Sequence, residues 1–438
     1  MGRMLDSPPR SALQSPLALR SGAMLPNRLA KAAMSEVLGE VSTGAPTDAL
    51  VRLYERWGRS GAGLLLTGHV IVDPAGMGEP ANVLIVDDRH RAALRRWAEA
   101  AQAGGSRLWM QLNHAGRQSP KRLSRLPVAP SAIKMTKGFG ALFAKPRALA
   151  AREIEEIVQR FAVAAAVAKD AGFSGVELHG AHGYLIAQFL SPLTNHREDE
   201  WGGDPVRRSR FLLEIVRNVR RAVGPAFPIG VKLNSADFQR GGFTIDEAMD
   251  VARSLDTAGI DLLEVSGGNY ESPAMAGSGE LPAELRESSR DREAYFLDYA
   301  RRIRTVTTMP IMLTGGMRSR AVMESALASG AVDVIGLARP MTHTPELPRR
   351  LLDGSLDAAP AVKIRSRIKQ VDDALQALWF QAQIHELAKG NEPDLALGKW
   401  TALWRGLRAN FLPFGARRSI ATIAPIAPAE RPDARSAS

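Results

Sequence analysis

The chain has 438 residues, of which 45% are hydrophobic and 24% are charged, and its formal net charge is +11. This length and composition are typical of a globular protein with a large core and one to three domains. The absence of cysteine excludes disulfides, thiolate catalysis and cysteine-ligated iron–sulfur or zinc sites.

The N-terminus contains Arg, Pro and Ser but no continuous apolar segment, which argues against a secretory signal. Residues 1–15 therefore predict a disordered tail. No stretch of about 20 apolar residues predicts a membrane-spanning helix. We expect a cytoplasmic protein without a membrane span, and no motif indicates a nucleic-acid partner.

Between residues 16 and 360, short apolar runs alternate with helical patterns. The runs predict eight strands, at Leu29–Ala33, Gly63–Thr67, Leu108–Leu112, Gly175–Leu178, Ile229–Leu233, Leu262–Val265, Ile311–Leu313 and Val334–Leu337. Helices are predicted near 47–60, 88–103, 153–171, 207–222, 245–258, 293–306, 319–328 and 345–353. Such alternation indicates an α/β fold with a parallel sheet, and eight units predict a single (β/α)8 TIM barrel. A doubly wound sheet is the alternative.

Three long connections follow predicted strands and leave the C-terminal mouth of the barrel, where active-site loops belong. They span residues 113–152, 180–206 and 267–292. The third is rich in Gly, Ser and Glu and predicts a mobile lid.

Beyond residue 360 the alternation stops. Residues 361–412 predict a helical extension, with helices over 363–389 and Trp400–Phe411. The Pro-, Ala- and Arg-rich residues 413–438 predict a disordered tail.

The extension and its tail are basic, with 12 Lys or Arg and 7 Asp or Glu over residues 361–438. We expect Trp400 and Trp404 to pack against the barrel as core residues. Docking on a membrane surface or on a partner subunit is the alternative for this amphipathic stretch.

The run from Gly175 to Leu185 concentrates polar groups where a strand gives way to a loop. His179, His182 and Tyr184 follow the apolar stretch at i, i+3 and i+5, and the intervening glycines allow a sharp turn. Sites on α/β folds lie at such strand ends. A metal site of the HxxH type is a weaker alternative, because no third ligand is evident.

Several segments together resemble the Old Yellow Enzyme family of FMN-dependent ene-reductases, whose bacterial members are often labelled NADH:flavin oxidoreductases. In chain order they are Leu25–Ser35, Gly63–Gly68, Trp109–Arg117, Val128–Ser131, Glu177–Leu185, Phe189–Gly203, Gly230–Asn234, Thr314–Gly316 and Gly336–Arg339. The resemblance covers roughly residues 15–355 and is most specific between residues 177 and 203. It implies a TIM barrel that binds FMN tightly over residues 16–360.

The predicted phosphate site lies at the ends of the last two strands. Gly315 and Gly316 let backbone amides approach an anion closely, and Arg339 can make a forked contact to phosphate oxygens. The resemblance implies the same role for these residues and for Ala338 beside them. Tight barrel packing and a surface ion pair are the structural alternatives.

Two side chains at strand ends are predicted to face the edge of the flavin ring. The Gln111 amide can donate to and accept from the pyrimidine edge. Lys232 would stabilise the anionic reduced flavin, although many relatives carry Arg at this place. An inward salt bridge is the alternative for Lys232.

The resemblance also places the segment Ala33, Met34 and Ser35 beside the flavin. Ser35 stands where the family usually has Thr or Cys, so its hydroxyl is expected to tune the flavin potential from near O4. Ala33 replaces a common Pro. Gly68 matches a small residue whose backbone lies by the flavin, with a simple strand-end turn as the alternative.

The resemblance implies that His179 and His182 hydrogen-bond the carbonyl of an activated alkene and that Tyr184 protonates its α-carbon. NADPH or NADH would visit the same pocket as a transient reductant. The chain is therefore expected to reduce α,β-unsaturated carbonyl compounds. An FMN-dependent amine demethylase or dehydrogenase and a non-catalytic flavin-binding scaffold are the alternatives, and a homo-oligomer is possible.

Overall fold

The computed structural model describes residues 11–136, 140–267, 296–362, 364 and 369–411. Its strands are β1 (Leu17–Ala18), β2 (Met24–Leu25), β3 (Leu29–Lys31), β4 (Leu64–Ile71), β5 (Val83–Leu84), β6 (Arg107–Asn113), β7 (Val128–Ala129), β8 (Arg147–Ala148), β9 (Gly175–Gly180), β10 (Ile229–Asn234), β11 (Leu262–Ser266), β12 (Ile311–Thr314) and β13 (Val334–Leu337). Its helices are α1 (Asp48–Gly58), α2 (Arg91–Gln102), α3 (Ala151–Asp170), α4 (Leu185–Leu190), α5 (Pro205–Val223), α6 (Ile245–Thr257), α7 (Leu297–Arg304), α8 (Arg320–Ala328), α9 (Pro340–His343), α10 (Leu347–Leu352), α11 (Lys369–Lys389) and α12 (Lys399–Phe411).

Eight parallel strands close into a barrel. Hydrogen bonding runs in the order β3-β13-β12-β11-β10-β9-β6-β4, and β3 also pairs with β4. A doubly wound sheet would keep two open edges, so this closure confirms the TIM barrel and excludes the alternative. The alternation of apolar strands with amphipathic helices buries the strands on both sides, which accounts for their nearly continuous apolar sequences.

The N-terminal end of the barrel is closed by a small antiparallel hairpin. β1 and β2 pair through Leu17 with Leu25, and both side chains are buried against inward-facing barrel residues that include Trp109. The mouth at the opposite end is therefore the accessible end, as expected for this fold.

The predicted tail over residues 1–15 requires a correction at residues 11–15. A short 3₁₀ helix, Ala12–Gln14, is capped by Ser11, and Leu13 is fully buried in the main core. Gln14 donates from Nε2 to the carbonyl of Leu352 at 2.8 Å. A single buried leucine anchors this segment, and a single apolar residue carries no periodicity that a sequence pattern could reveal.

The predicted helical extension is present as α11 and α12. α11 lies against α1 and α9, and His385 on it places Nε2 2.9 Å from the backbone oxygen of Glu36. α12 packs on α11. The expected burial of the two tryptophans is wrong, since Trp400 is 61% exposed and Trp404 is 64% exposed.

Three sequence-based expectations lie wholly or largely outside the described residues. They are the disordered tail over 413–438, the part of the N-terminal tail over 1–10, and the mobile lid, of which only Gly267 is described. Within the described ranges, no helix is both long enough and apolar enough to cross a membrane.

Candidate active site at the barrel mouth

The strand register brings the predicted site residues together at the C-terminal end of the barrel. His179 on β9 lies opposite Lys232 on β10, which in turn lies opposite Glu264 on β11. On the other side, Gln111 on β6 is paired with both Glu177 on β9 and His69 on β4. Polar side chains from five adjacent strands therefore meet at one end of the barrel.

A tight turn after β9 positions the second imidazole. His182 has a φ of +58° and Gly183 a φ of +75°, so the backbone takes the left-handed conformation twice in succession. Neighbouring groups stabilise it: Asn234 Oδ1 accepts from the His182 N–H at 3.1 Å, and Gln188 Nε2 donates to the Gly183 carbonyl at 2.7 Å. Gly183 takes this φ without strain because it has no side chain, whereas His182 takes it with a side chain and is held there by the hydrogen bond that its N–H donates to Asn234.

His179 is held as a neutral imidazole of defined tautomer. Burial, aided by the nearby His182, lowers the pKa of His179 well below its ordinary value. Its Nδ1 accepts the Ala181 N–H at 3.3 Å. Since a neutral imidazole has one acceptor and one donor nitrogen, Nε2 carries the proton and is the hydrogen-bond donor.

His182 is oriented by a hydroxyl that the sequence analysis did not single out. Its Nε2 lies 2.8 Å from Ser266 Oγ at the end of β11, and within the described part of the chain Nδ1 has no hydrogen-bond partner. Burial, followed by the charge of Lys232, lowers the pKa of His182 well below its usual range. The ring is therefore neutral near pH 7, with Nδ1 available to a ligand.

Tyr184 lies beside the imidazoles and is nearly buried, with 5% of its surface exposed. Its ring centroid is 4.9 Å from that of His179, in an edge-to-face arrangement. The predicted catalytic residues are thus brought together within one pocket.

His69 is a third imidazole of this pocket, and the sequence analysis missed it. Its ring centroid lies 5.3 Å from that of His179 and 4.9 Å from that of Tyr184. The predicted strand ended at Thr67, whereas β4 continues to Ile71 with an irregular register between Leu66 and His69. A polar residue inside an otherwise apolar run was the available signal.

The titration of His69 is a measurable consequence of its position. Burial and then the charge of Lys232 lower the pKa of His69 to about 4. Between that pH and the ordinary value of about 6.5, the unfolded chain binds a proton that the folded protein does not. The free energy of unfolding should therefore fall as the pH is lowered through this window, with His69 contributing about 1.4 kcal/mol per pH unit.

Urea unfolding of the wild type and the His69→Asn variant from pH 7 to pH 4 measures this contribution. The variant should show a smaller loss of stability on acidification. His196→Asn, which removes an exposed imidazole, is the matched control and should keep the wild-type slope. Identical slopes for wild type and His69→Asn would contradict the assignment.

Lys232 lies in the pocket within a buried charge cluster. Its Nζ is 2.9 Å from Glu264 Oε1. Lys232 therefore lies at the predicted position and also makes the inward salt bridge that was the alternative for it. Burial and then the charge of Glu264 raise the pKa of Glu177 well above its ordinary value, which favours the neutral form of this carboxyl. Gln111 Nε2 lies 2.7 Å from Glu177 Oε2, and Gln111 Oε1 is buried without a hydrogen-bond partner among the described residues.

The predicted phosphate site is a cluster of free donors at the ends of β12 and β13. These strands pair in register through Thr314 and Gly336, which places Gly315 and Gly316 next to Ala338 and Arg339. In the described part of the chain, the N–H groups of these four residues donate no hydrogen bond. The Arg339 guanidinium lies 5.8 Å from the ring centre of Phe380 on α11 and has no carboxylate partner among the described residues.

The segment from Ala33 to Ser35 follows β3 along the mouth, but Ser35 differs from its expectation. Its hydroxyl donates to Glu79 rather than pointing a free proton into the pocket. Ala33 and Met34 are partly buried against the core. A hydroxyl can still accept a second hydrogen bond, so Ser35 keeps acceptor capacity at this edge of the mouth.

Gly68 lies inside β4 and not at a strand end. A Cβ atom there would come within 2.0 Å of Glu36 Oε2 and 2.3 Å of the Met34 carbonyl. The segment that contains Met34 and Glu36 therefore packs so closely on β4 that residue 68 must be glycine. Its N–H donates to Glu36 Oε1 at 2.8 Å.

The donor set fits a flavin mononucleotide. Free backbone amides beside a guanidinium are suited to a phosphate, and the unpartnered Gln111 Oε1 is an acceptor for the ring edge of a flavin. No group of three His, Asp or Glu side chains that could hold a metal ion occurs among the described residues.

Comparison with known proteins agrees with this chemistry. Residues 12–357 match the sequence profile of the NADH:flavin oxidoreductase / NADH oxidase family. An NADH-dependent flavin oxidoreductase of Hypocrea jecorina is 39% identical over 358 residues, which are 77% of this chain and 88% of the relative.

Two solved structures share the fold. An Old Yellow Enzyme homologue of Zymomonas mobilis superposes with a TM-score of 0.67 and 26% identity, covering 80% of this chain and 95% of the other. Morphinone reductase gives a TM-score of 0.67 and 26% identity, covering 83% and 96% of the two chains.

Proposed function

Because this chain belongs to the NADH:flavin oxidoreductase / NADH oxidase family and is an FMN-dependent oxidoreductase that uses NAD(P)H, we propose that it reduces the carbon–carbon double bond of α,β-unsaturated carbonyl compounds. The observation that carries the proposal is the pair of neutral imidazoles, His179 and His182, beside the Tyr184 phenol. Neutral donors beside a weak acid suit a carbonyl that becomes enolate-like during reduction.

Bound FMN supplies hydride transfer between NAD(P)H and the alkene. The free amides at Gly315 and Gly316 and the guanidinium of Arg339 would hold its phosphate. Gln111 and Lys232 would face the ring edge. Because Glu264 offsets the charge of Lys232, this cluster adds less net positive charge than an isolated lysine would.

The substrate-binding groups act on the carbonyl oxygen. His179 donates from Nε2 because Ala181 occupies Nδ1, and His182 donates from Nδ1 when the Ser266 hydroxyl donates to Nε2. Both contacts strengthen as negative charge develops on that oxygen. Tyr184 gives its phenolic proton to the α-carbon.

The electrostatics of the pocket favour a neutral carbonyl over a cationic amine. Its three imidazoles are neutral near pH 7. Of the two carboxyls that lie next to Lys232, Glu264 is paired with that lysine, and the raised pKa of Glu177 favours its neutral form. An amine cation would have to compete with Lys232 for the Glu264 carboxylate, which argues against demethylation.

Anaerobic absorption spectroscopy tests the proposal. Purified protein should show the flavin spectrum, lose it with NADPH or NADH, and regain it on adding cyclohexenone. Trimethylamine added to the oxidised protein should leave the spectrum unchanged. Bleaching by the amine, with no response of the reduced protein to the enone, would favour the demethylase, and a colourless protein that takes up no FMN would favour a scaffold.

Arg339→Gln tests the phosphate site. Losing a charge-assisted forked contact should weaken FMN binding by about 10- to 100-fold. Titration of the FMN-depleted protein with FMN, followed by quenching of flavin fluorescence, gives the dissociation constant. Arg350→Gln changes the same charge at an exposed residue of α10 and should bind FMN as the wild type does; equal affinity for all three proteins would contradict the assignment.

Ser266→Ala tests the orientation of His182. Removing a neutral hydrogen bond should lower kcat/KM for the enone by roughly 3- to 10-fold. Steady-state kinetics measure the effect, and Ser266→Thr, which keeps the hydroxyl, should restore most of it. A threonine variant that is as impaired as the alanine variant would indicate a packing role instead.

A further inference from the structure

The helix α12 presents large apolar side chains to solvent. Trp400, Trp404 and Leu407 are 61%, 64% and 37% exposed. Their i, i+4, i+7 spacing places them on one stripe of the helix. A row of two indoles and a leucine on a solvated helix face indicates a surface that is covered by something else in use.

The packing of α12 prevents this stripe from turning inward. Its inner face consists of small residues, with Ala402 fully buried and a Cβ atom at Gly406 only 2.5 Å from the side chain of Leu378 on α11. The preceding segment is tied to α11 by a hydrogen bond of 3.0 Å from Trp379 Nε1 to the carbonyl of Leu397. Rotating either exposed indole into that contact would require a gap that the structure does not have.

Basic residues flank the apolar stripe. Lys399, Arg405 and Arg408 lie on α12. The Arg405 guanidinium is half-exposed and pairs with Glu386 on α11 at 3.1 Å, and the Lys399 ammonium is 5.8 Å from the centre of the Trp400 ring. Residues 399–438 carry seven Lys or Arg and two Asp or Glu, whereas residues 361–398 carry five of each. The net positive charge of residues 361–438 therefore comes entirely from residues 399–438, the segment that starts with α12.

We propose that α12 docks the protein on the surface of an anionic lipid bilayer. Tryptophan prefers the boundary between water and acyl chains, and an amphipathic helix that combines Trp and Leu with flanking cations is typical of interfacial binding. The cations complement anionic headgroups. The helix lies beyond residues 12–357, so this surface belongs to the extension rather than to the part that matches the family.

A second copy of the chain fits the patch less well. Two partly exposed indoles and one leucine offer roughly 400 Å² at most, whereas a stable interface buries about 800 Å² on each partner. Seven cations on the closing 40 residues of each copy would also repel.

The arrangement of tryptophans makes the docking directly observable. Of the seven tryptophans, Trp57, Trp97, Trp109, Trp201 and Trp379 are at most 3% exposed. Only Trp400 and Trp404 can move from water into lipid. A change of tryptophan emission on adding vesicles therefore reports on α12 and on no other part of the fold.

The experiment adds vesicles of phosphatidylcholine, with or without phosphatidylglycerol, to the full-length protein at low salt. Vesicles with phosphatidylglycerol should shift the emission to shorter wavelength and sediment the protein, and high salt should release it. Trp400→Ser with Trp404→Ser should abolish binding. Arg405→Gln with Arg408→Gln should weaken it roughly 5- to 30-fold, since a cation near an anionic surface contributes about fivefold and Glu386 offsets part of the charge of Arg405.

Matched variants keep this test specific. Val206→Ser removes an apolar side chain that is 79% exposed on α5, and Arg152→Gln with Arg217→Gln removes two exposed charges on α3 and α5. These variants should bind as the wild type does. Every variant should retain NAD(P)H-dependent flavin reduction, because none of these residues lies at the barrel mouth.

Several outcomes would overturn the proposal. One is that the protein does not sediment with anionic vesicles. Another is that the double tryptophan variant binds these vesicles as well as the wild type does. Emission already at short wavelength and unchanged by lipid would show that the chain covers its own patch. A dimer in light scattering that the tryptophan variant abolishes would identify a second copy as the occupant.

Discussion

Tyr184→Phe is expected to slow alkene reduction by roughly 10²- to 10⁴-fold while reduction of the flavin by NAD(P)H is largely unchanged. The phenol is placed against His179, with ring centroids 4.9 Å apart, and phenylalanine keeps that packing while removing the proton. Only the half-reaction that protonates carbon needs this group. Rapid-mixing measurements of the two half-reactions, each monitored by flavin absorbance, separate the effects.

Tyr299→Phe is the matched control for this prediction. It removes a phenol that packs against Phe238, with ring centroids 5.7 Å apart, and it should leave both half-reactions near the wild-type rates. A Tyr184→Phe enzyme that reduces alkenes at full speed would exclude the phenol as the proton donor. Equal slowing of both half-reactions would instead indicate a general defect of the pocket.

Replacing both His179 and His182 with alanine is expected to lower kcat/KM for an enone by at least about 10³-fold. Removing one preorganised donor from a developing oxyanion typically costs 10²- to 10³-fold, and here both would be lost. The two rings also pack against each other, with centroids 5.0 Å apart, so the single variants are not expected to be additive. Steady-state kinetics with cyclohexenone measure the loss.

The FMN content of the double variant serves as the control for folding, because the phosphate site lies on β12 and β13 and should be unaffected. His196→Ala, at an exposed position, should leave turnover unchanged. If the double variant keeps both turnover and substrate affinity, the pocket is assigned to the wrong residues.

The barrel strands were predictable because each is an apolar run buried on both faces and bounded by turn residues. All eight were predicted close to their observed positions, as Val334–Leu337 illustrates. Long-range pairing is harder to read from such runs, and β4 continues four residues past its predicted end at Thr67. That extension carries His69, so the same boundary error hid a pocket residue.

The site was partly predictable for a related reason. His179, His182 and Tyr184 are close in sequence, and one turn places them together. Their partners come from other strands: Asn234 lies 52 positions from His182 along the chain, and Ser266 lies 84 positions away. Nothing local to either residue marks it as a contact of that imidazole.

Local patterning was enough to predict a (β/α)8 barrel, its order of elements and the neighbourhood of the pocket, because apolar periodicity and turn chemistry act over a few residues. Only the folded chain decided which groups are charged and which are free. Burial keeps the imidazoles neutral, Glu264 offsets the charge of Lys232, and Glu79 accepts the hydrogen bond of the Ser35 hydroxyl. Tight packing of Ala402 and Gly406 likewise left Trp400 and Trp404 in solvent. Such outcomes depend on desolvation and on contacts between distant segments, and these exist only when the strands and helices have come together.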